Sequence, residues 1–532
     1  MIRKIILLAG FGIVSGALWA SAAATEFRKQ QTSLYNDIYE ENIHEEITRP
    51  LDLSRWGRKL FSKPLRSANV NVFDEVPDSS FFVNRHARER LSLEALVRGS
   101  LENDGPDFSN GLTITKAKNE GLHPGFFIKD SKGDDYLVKF DGLENLELAT
   151  GAEVISSRIY HALGYFVPQY TIATFSKEDI KIGEGARIRD ETGFMKPLTA
   201  ERLDAMLAKV PVSADGKYRV SASKILPGKN KGYFSFNGRR KNDPEDPVSH
   251  RDRREIRSLG VFAAWLDNND ARESNTLDML VEENGKPVLK HYLIDFNSTL
   301  GSARGGPKPP TFGYEYFMDY GEAVKAFLTL GFWEKPWQRR WREAGEKPHP
   351  SGAVGYFNDA RFDPSRYKTQ LPYDAFKRLT RADGFWAAKQ ILAFRDEDIR
   401  ALVSTGQLSS AEDADYLSKI LCQRRDAIAR YWLSEAAPLD DFEIRDGRLV
   451  FRDLAVEYGF EKVEGRTYTA LLTPGDGKTQ QEIVLDPKGI AIDPAWFAGG
   501  REALLEIRTG EKRPWVRVRF SPEKVLAVRH QD

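Results

Sequence analysis

The chain has 532 residues, room for three or four domains at roughly 150 residues each. Its 78 Lys and Arg balance 78 Asp and Glu, which excludes a strongly basic nucleic-acid scaffold and an acidic disordered tail. A mean hydropathy of −0.49 excludes a multi-span membrane protein, and a single cysteine, Cys422, excludes an intramolecular disulfide or a cysteine-based zinc cluster.

Arg3 and Lys4 precede an apolar run from Ile5 to about Ala20, followed by Ser21-Ala22-Ala23-Ala24. A basic start, a short apolar run and small residues at a cleavage position are the features of a secretory signal peptide. Residues 1–24 are therefore expected to be removed after Ala22 or Ala24, and the protein to be exported, periplasmic or extracellular. No later segment is apolar for long enough to span a membrane. Residues 25–110 are expected to form a mostly helical N-terminal extension.

Next, Phe126-Phe127-Ile128-Lys129 and Tyr136-Leu137-Val138-Lys139-Phe140 flank a turn at Ser131-Lys132-Gly133-Asp134. This predicts a hairpin with Lys139 near the end of its second strand. A helix from about Glu147 to Leu163 follows, with Ile155, Ile159 and Ala162 on one face and Gly164 as its cap. Glu153 lies off the centre of that stripe and can point toward Lys139; Glu147 is the rival partner. Gly121 and Gly125 bracket the turn before the hairpin, where backbone N–H groups can cover phosphates.

His250-Arg251-Asp252 matches a kinase catalytic-loop triplet, but Arg257 stands where the metal-binding Asn is needed, so Asp252 is read as a helix-start residue. The helix predicted over 253–267 carries Ile256, Leu259, Phe262, Ala263, Trp265 and Leu266. Beyond it, Asp270 and Asn275 stand five apart. Thr276 to Glu282 and Pro287 to Ile294 then flank Asn284-Gly285, a strong two-residue hairpin turn, and Asp295-Phe296 closes the unit. Asn275 lies nine residues before Asn284 and Asp295 ten after Gly285, so the hairpin sets them opposite to within one residue. Opposed side chains are roughly 4.5–5.5 Å apart at Cβ. An amide oxygen and a carboxylate at that spacing can share Mg²⁺ with retained waters. Asp270, at the same end, can deprotonate an attacking hydroxyl.

Downstream, Ser302 to Pro310 is expected to be a mobile substrate loop. Trp333, Trp337 and Trp341, interleaved with Arg339, Arg340 and Arg342, are read as a packing helix rather than a nucleic-acid surface, and no nucleic-acid partner is expected. Cys422 is read as a buried small hydrophobe. Ser434 to Pro438 reads as a linker, and 436–532 as a small β-rich domain. Within that tail Gly477-Lys478-Thr479 is not a phosphate loop, because Leu472 stands where its first glycine belongs. The sequence holds neither H-E-x-x-H nor G-x-S-x-G, so hydrolase chemistry has little support.

The order Lys139, Glu153 helix, Asp270-x4-Asn275 and Asp295-Phe296 resembles the atypical protein-kinase-like superfamily, within it the CotH-type secreted kinases and HipA-type kinases. The run Arg253-Arg254-Glu255-Ile256-Arg257 through Ala264-Trp265-Leu266 also resembles a family of uncharacterised exported bacterial proteins. The resemblance covers residues 111–435. It implies an α+β, two-lobed protein-kinase-like fold, with a β-rich N-lobe and a helical C-lobe. It implies ATP with Mg²⁺ or Mn²⁺ as cofactors, and a hydroxyl on a protein, glycan or small molecule as acceptor. By position, Asp270 would be the base, Asn275 and Asp295 metal ligands, and Lys139, paired with Glu153, the phosphate lysine. Gly121 and Gly125 would form the nucleotide loop. Arg272 stands where these families usually carry His, and Asn297 where protein kinases carry Gly. A pseudokinase acting as a binding module, and transfer of AMP rather than phosphate, stay open.

Overall fold

The computed structural model describes residues 27–532 apart from 31–33, 49–50, 62–64, 119–123, 191–192, 304, 310, 336, 340–341, 343–348, 359–361, 465, 478–479, 487–488, 498–501 and 511–512. The expected signal peptide at 1–24, Gly121, Trp341 and Lys478-Thr479 thus lie outside the described residues.

The first elements are α1 (Leu34–Tyr39), a π-helical turn at Glu40–His44, α2 (Glu45–Thr48), α3 (Leu53–Leu60) and, much later, α4 (Leu93–Arg98). Residues 65–92 contain no helix, against the expectation of a mostly helical extension. Their amides are taken by side chains instead. Asn71 accepts from the backbone of Phe73 and Glu75, and Asp78 accepts from the backbone and side chain of Asn84. Such local bonds compete with helix formation. They also aim Phe81 and Phe82 into the interior, where both are buried.

An α+β unit follows: β1 (Leu112–Ala117), β2 (Gly125–Lys129), β3 (Asp135–Phe140), α5 (Leu148–Leu163), β4 (Tyr170–Phe175), β5 (Ile180–Ile182), β6 (Arg187–Arg189), β7 (Met195–Pro197), α6 (Ala200–Leu207) and β8 (Tyr218–Lys224). Six strands form one sheet in the order β4-β8-β3-β2-β1-β5, antiparallel except for β5 beside β1. One core holds Ile114, Phe126, Val138, Phe140 and Val220 with Leu203 and Leu207 of α6. The buried α5 joins a second, larger core through Ile155 and Ile159.

That second core is mostly helical. Its elements are β9 (Lys229–Asn230), α7 (Arg254–Leu266), β10 (Thr276–Glu283), β11 (Lys286–Leu293), β12 (Ser302–Ala303), β13 (Gly306–Pro307), α8 (Tyr320–Leu328), α9 (Asp374–Lys377), α10 (Arg381–Leu392), α11 (Asp396–Ser404) and α12 (Ala411–Glu435). Phe262, Trp265, Trp386, Ile391, Leu402 and Leu421 meet there. The helix α7 is buried nearly all round, including Arg254 and Arg257, which bind Asp383 of α10. Two corrections fall here. The 302–310 segment is not a free loop: β12 pairs with β13, and Lys308 is buried in an ion pair with Asp267. Ser434–Pro438 is no linker either, since α12 runs to Glu435 and buries Ala436 and Ala437 before the next strand.

The remaining strands are β14 (Leu439–Arg445), β15 (Arg448–Asp453), β16 (Tyr468–Thr473), β17 (Gln481–Leu485), β18 (Ile490–Ala491), β19 (Ala503–Arg508), β20 (Trp515–Phe520) and β21 (Val525–His530). They form a β14-β15-β18 sheet and a β17-β16-β19-β20-β21 sheet around their own core of Leu439, Leu472, Leu505, Val516 and Phe520. This unit is tied back to the early chain. Val528 N–H donates to the Val72 carbonyl, and His530 N–H donates to Asp74 at 2.9 Å. Asp74 also binds Arg66 at 2.7 Å and Arg254 at 2.8 Å. Among the described residues no helix is long and apolar enough to cross a membrane.

Candidate functional site

Lys139 sits one residue before the end of β3. Two residues on, the buried Asp141 caps α5: its carboxylate accepts from the N–H of Glu147 and Thr150 and from the Thr150 hydroxyl, at 2.8–2.9 Å. Those orphan amides at a helix start need acceptors. The cap fixes α5 against β3, and Glu153, in its second turn, meets Lys139. Lys139 Nζ donates to Glu153 Oε1 at 2.5 Å, while Ser221 of β8 donates to Glu153 Oε2 at 2.5 Å. Glu147, the rival partner, is taken by Ser409 instead.

The second half of the site comes from the 267–296 region. Asp267 ends α7 in the left-handed conformation at φ 53°, and Lys308 binds its carboxylate at 3.1 Å and the Ser298 carbonyl at 3.2 Å. Asn268 donates to the Tyr160 hydroxyl of α5 at 3.1 Å. The loop is therefore held from two sides when it presents Asp270. Asn275 Nδ2 donates to the Asp270 carbonyl at 2.9 Å and to its carboxylate at 3.0 Å, and Arg272 lies 3.0 Å from the other carboxylate oxygen. The β10–β11 hairpin closes at Asn284 (φ 52°) and Gly285 (φ 72°) in the predicted turn, with Thr276 opposite Leu293. Ile294 N–H donates to the Asn275 carbonyl at 3.0 Å, which carries the pairing up to Asp295. Asp295 adopts φ 63°, tolerable for Asp. Its N–H donates to the Tyr170 hydroxyl at 3.2 Å, and Phe296 stacks on Tyr160 with centroids 5.1 Å apart.

The two halves meet at one atom. Lys139 Nζ also donates to Asp295 Oδ1 at 3.0 Å, across 156 residues of sequence. Burial opposes the lysine's charge, but Asp295 and Glu153 outweigh it and hold the ammonium's pKa above its usual value. For Asp270, burial raises the carboxyl's pKa and Arg272 opposes the rise. A cavity of about 20 Å³, the size of one water, is bounded in part by Asp270, Asn275, Asp295 and Phe296.

Of the residues singled out in the sequence, Lys139, Glu153 and Asp295 form one cluster, and Asp270, Arg272 and Asn275 a second beside it. Gly125 is not on a free loop: it opens β2 opposite Lys139, and a Cβ there would collide with the Val138 carbonyl. Its lack of a side chain serves strand pairing. Asp141, Tyr170, Ser221 and Lys308 were missed. Asp141 carried a signal, an acid just ahead of a helix start; Lys308 carried none.

Among the described residues no group of three or more His, Cys, Asp or Glu could hold a metal ion. The donor set here is smaller, Asp295 and the amide oxygen of Asn275, whose nitrogen is occupied by Asp270. Asp295 is 33 % exposed although one oxygen is tied to Lys139. Two oxygen donors suit a hard cation that keeps most of its waters, Mg²⁺ or Mn²⁺ rather than Zn²⁺.

No family model matches the chain, and no curated protein matches it. A solved structure of the Helicobacter pylori proinflammatory kinase CtkA aligns with 60 % of this chain and 98 % of its own, at 12 % identity and a TM-score of 0.29. At that score the likeness carries no argument.

Proposed function

We propose that the chain is an exported, two-lobed, kinase-like phosphotransferase. Residues 111–435 would be the catalytic unit, 25–110 an extension and 436–532 an accessory β domain. The observation that carries the reading is Lys139, held at once by Glu153 of α5 and by Asp295 after the hairpin. A buried lysine positioned this way serves to bind phosphate oxygens. Bound Mg-ATP would supply the transferable phosphoryl group and the metal that neutralises its charge. Lys139 would orient the phosphates, and Asn275 and Asp295 would hold the metal (Mg²⁺ or Mn²⁺). Asp270 would take the proton of an acceptor hydroxyl on a protein, glycan or small molecule. Arg272 stands beside Asp270, where it can contact the transferred phosphoryl. The nucleotide would lie on the exposed side of Asp295, since the adjoining cavity admits only a water.

A second reading, an inactive pseudokinase acting as an exported binding module, has its own support. Arg272 pairs with Asp270 and neutralises the proposed base. Incubating the protein with γ-labelled and α-labelled ATP and Mg²⁺ or Mn²⁺ separates the cases. Label from the γ position alone is the expected result. Label from the α position means AMP transfer, and none from either means the binding module.

A further inference from the structure

The turn that carries Asn275 is held by side chains far away in the sequence. Glu273–Asn275 form a single 3₁₀ turn, and Arg272 at its start supplies no side-chain cap. The first amides of such a turn have no acceptor within it. Asn275 N–H reaches back to the Arg272 carbonyl at 3.0 Å. The other two find outside partners. Glu273 N–H donates to the hydroxyl of the buried Tyr373 at 3.0 Å, and Ser274 N–H donates to Asp37 Oδ2 at 3.1 Å. Asp37 belongs to α1, lies 237 residues upstream of Ser274, and is itself buried.

A second link runs through residues 235–237. The Glu273 carboxylate accepts from the Ser235 hydroxyl at 2.8 Å and from Phe236 N–H at 2.5 Å. The next residue, Asn237, donates to Glu41 Oε1 at 2.8 Å. Glu41 is buried, four residues beyond Asp37 in the π-helical turn. The segment is also anchored on either side. Lys231 Nζ donates to the Phe27 carbonyl at 2.8 Å, and Lys377 Nζ donates to Glu46 of α2 at 2.5 Å. The described parts of 27–48 thus form a strap against the 270–275 loop.

We infer that Asp37 is a positioning residue of the site, setting Asn275, and through it Asp270, by holding the Ser274 amide. The inference rests on the reading of Asn275 as a metal ligand and Asp270 as the base. The path is short: Ser274 precedes Asn275, whose side-chain amide donates to the Asp270 carbonyl at 2.9 Å and to its carboxylate at 3.0 Å. A carboxylate accepting from a backbone N–H makes a stronger bond than a neutral acceptor does. Without it the Ser274 donor is left unpaired, and the turn regains an acceptor only by moving. Asn275 and Asp270 then lose their fixed geometry. The start of the chain is therefore part of the working site, not an appendage to it.

The test combines hydrogen exchange, read by mass spectrometry on peptides spanning 270–276, with γ-label transfer from ATP, on the protein as its host accumulates it. In Asp37→Ala the 270–276 peptides should exchange on the order of tenfold faster, the usual worth of one hydrogen bond. Peptides from β1–β3 and α7 should exchange as in the parent. The kcat should fall by about tenfold with KM for ATP unchanged, the pattern left by an interaction that serves the transition state. Asp37→Asn keeps an oxygen for the Ser274 N–H and should recover most of both effects. Glu40→Gln removes an exposed charge from the same segment, one that pairs with His44 at 3.2 Å, and should behave as the parent. Where Asp37→Ala does not fold, Asp37→Ser, too short to reach the amide, takes its place. Parent-like exchange at 270–276 overturns the inference. So does faster exchange spread over the whole chain, an unchanged kcat beside faster local exchange, or equal losses in Asp37→Ala and Asp37→Asn. If the parent itself transfers no label, the phosphotransferase reading fails, and the localised exchange alone upholds or overturns the hold of Asp37 on the loop.

Discussion

Asp270 is held by Asn275 through one oxygen and by Arg272 through the other, so its side chain is fixed before any substrate arrives. Asp270→Asn keeps the shape and an acceptor for one of the two partners but removes the proton acceptor. Transfer should fall by roughly 10²–10⁴-fold, the usual contribution of a general base. The thermal stabilisation by Mg-ATP should persist, because other groups hold the nucleotide. Turnover at the parent rate would remove Asp270 from the mechanism. His161, in the last turn of α5, makes a different prediction. Burial, with Arg85 and Arg158 nearby, pushes its imidazole down to about 3. The unfolded chain therefore binds a proton near pH 6.5 that the folded chain refuses until about pH 3. Stability must fall as pH drops through that window, because there the unfolded state holds more protons. Between pH 7 and pH 5 the loss from this group is at most ~2 kcal/mol. Urea titrations of His161→Gln beside the parent at both pH values should show a smaller drop in the variant.

Elements differ in how far their own residues announce them. The β10–β11 hairpin was legible because Asn284-Gly285 fixes the turn and the turn fixes the register, which brought Asn275 beside the approach to Asp295. The Lys139 hairpin was legible for the same reason, and α5 by its apolar period and Gly164. The Lys139–Asp295 contact was not read from the sequence, since nothing local links residues 156 apart. The 65–92 segment was misread because Asn71 and Asp78 bond its backbone locally, and the 302–310 segment because a long-range contact holds it. Lys308 finds Asp267 across 41 residues, and a Pro- and Gly-rich stretch looks mobile until that partner is known. The same limit hides Gly384, inside α10, where a Cβ would run into the Trp432 ring of α12. Gly→Ala in a helix interior ordinarily gains about 1 kcal/mol. Here the overpacking should cost about 1–3 kcal/mol, so Gly384→Ala should lower the urea midpoint. With Trp432→Ala in place the same substitution should become neutral or stabilising.

For the molecule as a whole, nucleotide binding should appear as stability. A ligand at 100 times its Kd adds about 2.7 kcal/mol to the folded state. Each kcal/mol moves Tm by about 2–4 °C in a unit of roughly 150–250 residues, and by less in a larger one. A melting scan with Mg-ATP should show that shift, and Asp295→Ala should abolish it by removing the carboxylate proposed to face the metal. Lys139→Ala should weaken the shift without erasing it. Failure of ATP, ADP and GTP, with Mg²⁺ or Mn²⁺, to move the parent's Tm would leave the fold without its proposed ligand.

The bond between His530 and Asp74 also sets a clock. The two residues lie 456 apart, and at about 5–20 residues per second the chain between them takes on the order of 20–90 s to synthesise. Arg66 is made before Asp74, and Arg254 follows well before the tail, so the carboxylate's cationic partners are available early. The strand that supplies His530 arrives after the helical core has had time to form. During that delay Val72 and Asp74 lack their tail partners, and the groove that β21 will fill stands open. A nascent chain should therefore remain sensitive to proteolysis near residue 74 until β21 has been made, and the order in which the chain appears becomes the order in which it closes.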